Sequence, residues 1–225
     1  MEVIERAIKE GRKILSEYEA KLLLNQYSIP TAREVFVRDR NELKDAGQTI
    51  GFPMVMKGCS PEITHKTEQG LIITDIRNEN EASEAFDEIY EKIKHFKDAG
   101  VLVQEMVKGK RELMVGMIRD PQFGPSVMFG LGGIFTEILR DVSFRVAPLD
   151  VKEAMDMMME IGAKKILDPV RGMPAVDIEK LAELIVNVGK IGLENEHIKE
   201  MDINPLIISG STPIAVDALI VLDSA

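Results

Sequence analysis

Apolar positions change their period several times along the first hundred residues. In SEYEAKLLLNQYSIP, residues 16–30, Ala20, Leu23, Leu24 and Tyr27 recur at helical intervals. Ser16 and Glu19 have the spacing of a capping box, and Pro30 marks a stop. REVFVRD predicts a short strand, and RNELKDAGQTIG a helix capped by Asn41. FPMVMKG and GLIITDIRN read as strands, while Ala82, Ala85, Phe86, Ile89, Ile93 and Phe96 predict a helix over 80–97. Helix and strand thus alternate over 16–98, as in an α/β lobe.

Beyond Gly100 the pattern changes. VLVQEMV, ELMVGMIRD, PSVMFG and VSFRVAPL are closely spaced strands, with turn signals at Gly109, Asp120-Pro121 and Gly124-Pro125. Two helices, roughly 150–162 and 177–194, precede the closing strands IKEMDINPLIIS and TPIAVDALIVLD. A second lobe follows from this, an antiparallel sheet covered by helices on one side. The expected division is an N-terminal α/β lobe of residues 1–100 and a C-terminal lobe of residues 101–225, with the boundary at DAGV, 98–101. The cleft between them is the default ligand site.

Composition narrows the classes. The 225 residues are 45% hydrophobic and 29% charged, with no Trp and a net charge of −10. That charge opposes nucleic-acid binding as a main role, since a polyanion would be repelled. One Cys allows no intrachain disulfide and suits a reducing compartment. The opening MEVIERAIKEGRKIL is charged throughout and no run is long enough to span a membrane, so a soluble cytoplasmic chain without membrane association is expected.

Three stretches carry candidate chemistry. PMVMKGCSPEITHKTEQGL, residues 53–71, places Lys57, His65 and Lys66 close together between Gly58 and Gly70. In an extended segment Val55 and Lys57 share one face, and Met54 and Met56 the other. A lysine at the end of an apolar strand either reaches solvent along its stem or meets an anion such as a phosphate. GLGGIFTEILRD, 130–141, has Gly130, Gly132 and Gly133 in a spacing that is neither GxGxxG nor the Walker pattern. It is either a tight turn or a place where backbone amides meet an anion, with Glu137 and Asp141 metal-facing or solvated. In EMDINP, Asp202 and Asn204 point the same way from a strand, and Asp217 on the returning strand could face the same point. Two carboxylates and an amide carbonyl suit Mg²⁺, which completes its shell with waters and substrate phosphates; surface charges beside a turn are the alternative. His95 and His197 read as structural or solvated, Cys59 as a packing residue, and Met155, Met157, Met158 and Met159 as helix packing.

SEYEAKLLLNQYSIP, FPMVMKGCSPEITHKTEQG, the block from VLVQEMVKGKRELMVG to VSFRVAPL, and EMDINPL together resemble an ATP-grasp domain. Over residues 16–221 the chain is similar to the ATP-grasp (β) subunits of archaeal ADP-forming acetyl-CoA or acyl-CoA synthetases. Its opening helix and closing strands also resemble the β subunit of succinyl-CoA synthetase. The resemblance implies an ATP-grasp fold of two α/β lobes with ATP or ADP held between them. It assigns Lys57 to the nucleotide phosphates, Gln104, Glu105, Met106 and Val107 to the hinge that meets adenine, and Glu112 to the ribose hydroxyls. Asp202, Asn204 and Asp217 match the Mg²⁺ ligands. His65 matches a histidine that relays a phosphoryl group between the nucleotide and a histidine on the partner.

The reaction so implied is acyl-CoA + ADP + phosphate to acid + CoA + ATP, with a separate CoA-binding α subunit in an α2β2 assembly. Leu71 stands where the family has a second glycine, which implies a stiffer histidine loop. Two other readings compete: an ATP-grasp ligase forming an acyl phosphate directly, and a nucleotide-sensing protein that keeps the shape without the chemistry.

Overall fold

The computed structural model describes residues 2–63, 66, 68–133 and 141–223. They form two compact units: Ile14–Glu19 with Ala32–Met106, and Met1–Lys13 with Ala20–Thr31 and Val107–Ala225.

In the smaller unit the sheet order is β1 (Glu34–Val37), β4 (Gly100–Glu105), β2 (Met54–Cys59), β3 (Ile72–Ile76). β4 pairs antiparallel with both β1 and β2, so the strand expected to open the second lobe lies inside the first sheet. The units divide between Met106 and Val107, not at 98–101, and residues 1–13 and 20–31 join the larger unit. Gly100 looked like a linker glycine, but a side chain there would strike the Phe36 ring of β1; it is the price of close strand packing.

Helices α3 (Leu43–Ile50) and α4 (Glu79–Ile93) cover one face of this sheet. Met54, Met56, Val101 and Val103 bury against Phe86, Ile89 and Ile93 there. Val55, Lys57, Leu102 and Gln104 therefore occupy the other face, in the alternation expected of β2. The capping box forms at the start of α2 (Glu17–Gln26): the Ser16 N–H donates to Glu19 Oε2 at 3.0 Å, and the Glu19 N–H to Ser16 Oγ at 3.3 Å. Asn41 is not a cap. It lies inside a short 3-10 turn, Arg40–Glu42, and donates its N–H to Asp39, whose extended backbone makes it the capping residue. α4 is capped by Asn78 and ends at Ile93, so Phe96 packs on the core from beyond the helix.

The named strands of the larger unit pair antiparallel, as expected, and an isolated parallel bridge joins Thr31 to Ala215. Its order is β10 (Ala218–Leu222), β8 (Ile198–Ser209), β5 (Glu112–Asp120), β6 (Gly124–Leu131), β7 (Val142–Val146), with β9 (Thr212–Ala215) also pairing with β8. α5 (Val151–Glu160) packs on β6 and β7, and α6 (Ile178–Glu194) on β5, β6 and β9. Met157 and Met158 of α5 are buried, whereas Met159 is exposed. Arg119 of β5 donates to the carbonyls of Gly192, Asn195 and Ile198, satisfying the end of α6 with a cation. The early segments are stitched in by Leu222 N–H to Lys13 O at 2.7 Å and Ala215 N–H to Pro30 O at 2.8 Å. α1 (Glu2–Lys9), which the hydrophobic pattern did not disclose, buries Ile4 and Ala7. No helix among the described residues is long and apolar enough to cross a membrane.

Candidate functional site

Lys57 does not reach solvent. It is 3% exposed, and its Nζ donates to Glu17 Oε1 at 2.7 Å. The Lys66 ammonium bonds the other oxygen of the same carboxylate. Two ammonium groups thus share one buried carboxylate. Glu17 was not legible as a site residue. It lies inside the capping-box motif, and only the fold brings it to β2.

Cys59, two residues beyond Lys57, has its thiol pushed up to about 12, chiefly by burial, with the Tyr18 backbone pulling it down and the Glu17 carboxylate adding to the rise. It is a neutral packing residue, as expected. His65 lies outside the described residues. Gly70, at φ 62, supplies the left-handed turn of this loop, while Leu71 is buried in the core and donates its N–H to Lys66 O at 2.9 Å. Leucine at 71 therefore carries no left-handed strain.

Gln104, Glu105 and Met106 end the smaller unit and Val107 begins the larger. Gln104 is fully buried and Met106 exposed. The Glu105 carboxylate accepts from the Arg33 N–H and Arg33 Nε, both at 2.9 Å, and its own N–H donates to Arg33 O. Its side chain thus braces β4 to the chain entering β1, leaving any ligand contact to the backbone.

In the larger unit β8 carries Asp202 opposite Gly116 of β5 and Leu219 of β10. Burial first, then the Glu200 and Asp217 carboxylates, pushes the Asp202 carboxyl up to about 6, against a hydrogen bond with Asn204. Asp202 Oδ1 is buried without a hydrogen-bond partner. A desolvated carboxylate oxygen beside two like charges lacks a cation, and that is the observation that fits Mg²⁺. Among the described residues no three His, Cys, Asp or Glu side chains could hold a metal alone. Asp217 lies in the link between β9 and β10 and not within a strand, because its Oδ1 turns back to accept the Ala218 N–H at 2.8 Å. Glu200 was missed; its place two residues before Asp202 on β8 was the available signal.

The glycine loop joins this cluster. Gly133, at φ 62, donates its N–H to Asn204 Oδ1 at 3.0 Å, and Gly132 donates to Glu112 O at 2.9 Å. The Glu112 carboxylate fills the space a side chain at Gly133 would need. Glu112, Gly133, Asn204 and Asp202 are therefore neighbours, although they span ninety residues of sequence. Asp141 is neither metal-facing nor merely solvated: its two oxygens accept the Gly162 and Ala163 N–H groups at 2.7 Å each, capping the turn after α5. Glu137 lies outside the described residues. The His95 and Phe96 ring centres are 4.1 Å apart with the planes tilted by 37°, and His197 uses its carbonyl to accept from Asp223 N–H.

Comparison with known proteins adds three findings. Residues 6–222 match the model of an ATP-grasp domain. Acetate–CoA ligase [ADP-forming] I subunit beta of Pyrococcus furiosus is 48% identical, over 98% of this chain and 97% of its own length. Acetate–CoA ligase [ADP-forming] I of Archaeoglobus fulgidus is 39% identical over 98% of this chain, which spans 33% of that longer protein. Among solved structures, acetyl-coenzyme A synthetase 1 of Ca. Korarchaeum cryptofilum in complex with coenzyme A and Ca-AMPCP superposes with a TM-score of 0.93, at 42% identity, covering 99% of both chains. The same protein with coenzyme A and Mg-AMPPCP, its phosphohistidine segment pointing towards the nucleotide-binding site, gives a TM-score of 0.87 at 43% identity, again over 99% of both.

Proposed function

The chain belongs to the ATP-grasp family, and on that premise we propose that it is the nucleotide-binding subunit of an ADP-forming acyl-CoA synthetase. It interconverts acyl-CoA, ADP and phosphate with acid, CoA and ATP. The observation that carries this reading is the end-to-end likeness, at 48% identity, to a separately encoded subunit beta of such a ligase.

The residues take the following parts. Lys57, fixed by Glu17, faces the nucleotide phosphates as a preset positive charge. Gln104 to Val107 meet adenine through the backbone, and Glu112 holds the ribose hydroxyls. Asp202, Asn204 and Asp217 would hold Mg²⁺, which would offset the charge of the nucleotide phosphates. His65 acts as the relay through a neutral imidazole nitrogen. That nitrogen attacks the phosphorus of a phosphohistidine on the partner; one P–N bond forms as the other breaks. A terminal β-phosphate oxygen of ADP then attacks the same phosphorus, releasing His65 and giving ATP.

The partner is a CoA-binding α subunit, in an α2β2 assembly. The joined form of the Archaeoglobus relative supports two parts working as one enzyme. The setting is the cytoplasm, in keeping with a single buried cysteine.

The test uses the purified chain with Mg²⁺ and γ-labelled ATP, with and without the CoA-binding subunit, comparing wild type with His65→Ala at alkaline pH. Acid-labile label on wild type and none on the variant is the expected result. Nucleotide binding with no label, even with the partner present, would mean a ligase that forms the acyl phosphate directly or a nucleotide sensor.

A further inference from the structure

A cavity of about 680 Å³ opens in the larger unit, between the segment that enters β5, the end of β8 and the turn at 170–173. Lys108, Lys110 and Arg171 line it. Among the described residues none of the three has an ion-pair partner and no acidic side chain lines the cavity. In a chain of net charge −10, three uncompensated cations around one hollow form a local reversal of field. Val170, Met173, Pro174 and Ile208 supply an apolar wall.

The wall is built by Arg111, which is 3% exposed. Its guanidinium donates to the carbonyls of Ile166, Asp168, Pro174 and Gly210 at 2.7–3.3 Å. It thereby pins 166–174 to the end of β8, while its Nε is buried without a partner. Glu112, Gly133, Asp202 and Asn204 do not line this cavity, and the Arg111 guanidinium is held by the four carbonyls just named. The cavity is a separate place from the proposed nucleotide site.

Arg171 is the second observation. Val170 and Met173 exchange both backbone hydrogen bonds, and the two residues between them, Arg171 and Gly172, have φ of 46 and 81. A two-residue turn with positive φ at both centres favours Asn, Asp or Gly at the first. Arginine has no backbone reason to be there; its side chain on the cavity rim is what the position gains.

We infer that this cavity binds a small phosphate-bearing anion of at least two negative charges. The phosphate would be held by Lys108, Lys110 and Arg171 and any apolar remainder laid on Val170 and Met173. A planar guanidinium with two ammonium groups suits a tetrahedral oxyanion better than a monocarboxylate, and the volume suits a small molecule.

The test is titration of the full chain with pyrophosphate, inorganic phosphate and acetate, without metal and without nucleotide. The backbone amide shifts of Gly109 and Gly210, which line the cavity, and of Gly172 in its rim turn, moving together, report on it. Wild type should show saturable shifts there with pyrophosphate, weaker ones with phosphate and none with acetate. Arg171→Asn suits the turn, so it should melt no lower than wild type while binding pyrophosphate at least tenfold more weakly. Lys108→Ser with Lys110→Ser should weaken binding without moving the turn. Still amides, equal shifts in Arg171→Asn, or equal response to acetate would each overturn the inference, whatever the outcome at the nucleotide site.

Discussion

Lys57 Nζ lies 2.7 Å from Glu17 Oε1, and both side chains are almost wholly buried. Since Lys66 shares that carboxylate, Glu17 is the hub of the trio. Glu17→Gln removes the buried negative charge that both ammonium groups share, and should cost about 3 kcal/mol or more of unfolding free energy. Lys57→Met leaves Glu17 with Lys66 and should cost less, while the double variant should fall between them in a urea titration. If Glu17→Gln were the milder change, Glu17 would not be the hub.

Asp202 should oppose stability to binding. Its folded-state carboxyl is raised to about 6, so its contribution to stability is present below the ordinary carboxylate range and is lost as pH rises through 6. Asp202→Asn should therefore stabilise the metal-free chain by about 1–3 kcal/mol at pH 7, with the gain shrinking towards pH 4. The same variant should bind Mg·ADP on the order of 100-fold more weakly. Melting curves across pH, together with calorimetry, check both halves.

Metal removal gives the converse. With ADP present, chelation should lower the melting temperature of wild type at pH 7.5 and leave Asp202→Asn nearly unmoved. In wild type the apparent Mg²⁺ affinity should fall as pH drops below about 6, because protons then compete for Asp202.

Gly133→Ala should displace Glu112, because the added methyl would occupy its carboxylate position at a left-handed backbone site. A cost of about 1–2 kcal/mol is expected from the backbone alone, with more from the clash. Adding Glu112→Ala should recover the clash part, and a thermodynamic cycle separates the two.

Cys59 should resist alkylation in the native chain. A buried thiol pushed up to about 12 holds almost no thiolate at pH 8. Iodoacetamide labelling should accompany global unfolding and rise with urea; rapid labelling in buffer would contradict that burial.

Periodicity carried much of the fold. The helices at 79–93, 151–160 and 178–194 and the alternation of β2 follow from apolar spacing, because each element buries one face. The partition of β4 did not follow, since a glycine at a strand start and one at a linker look alike until Phe36 is seen against it. At the site, Asp202 with Asn204 was readable from strand alternation. Glu17 and Glu200 were not, the first because a capping motif already accounted for it, the second because Glu200 is itself exposed and acts only through the burial of Asp202, which the fold decides. Asp141 misled for the same reason: its partners, Gly162 and Ala163, lie about twenty residues on.

The larger unit draws on three separate stretches of chain, and its N-terminal pieces hydrogen-bond Ala215 and Leu222. During synthesis residues 14–106 emerge with every strand of the smaller sheet present, whereas Lys13 and Pro30 must wait some two hundred residues for their partners. The smaller sheet can thus mature on the ribosome while the larger stays open, and β9 and β10 close a loop that began with the segments at Lys13 and Pro30. A stop codon after residue 210 would spare the first process and abolish the second, leaving a truncated product with one ordered half.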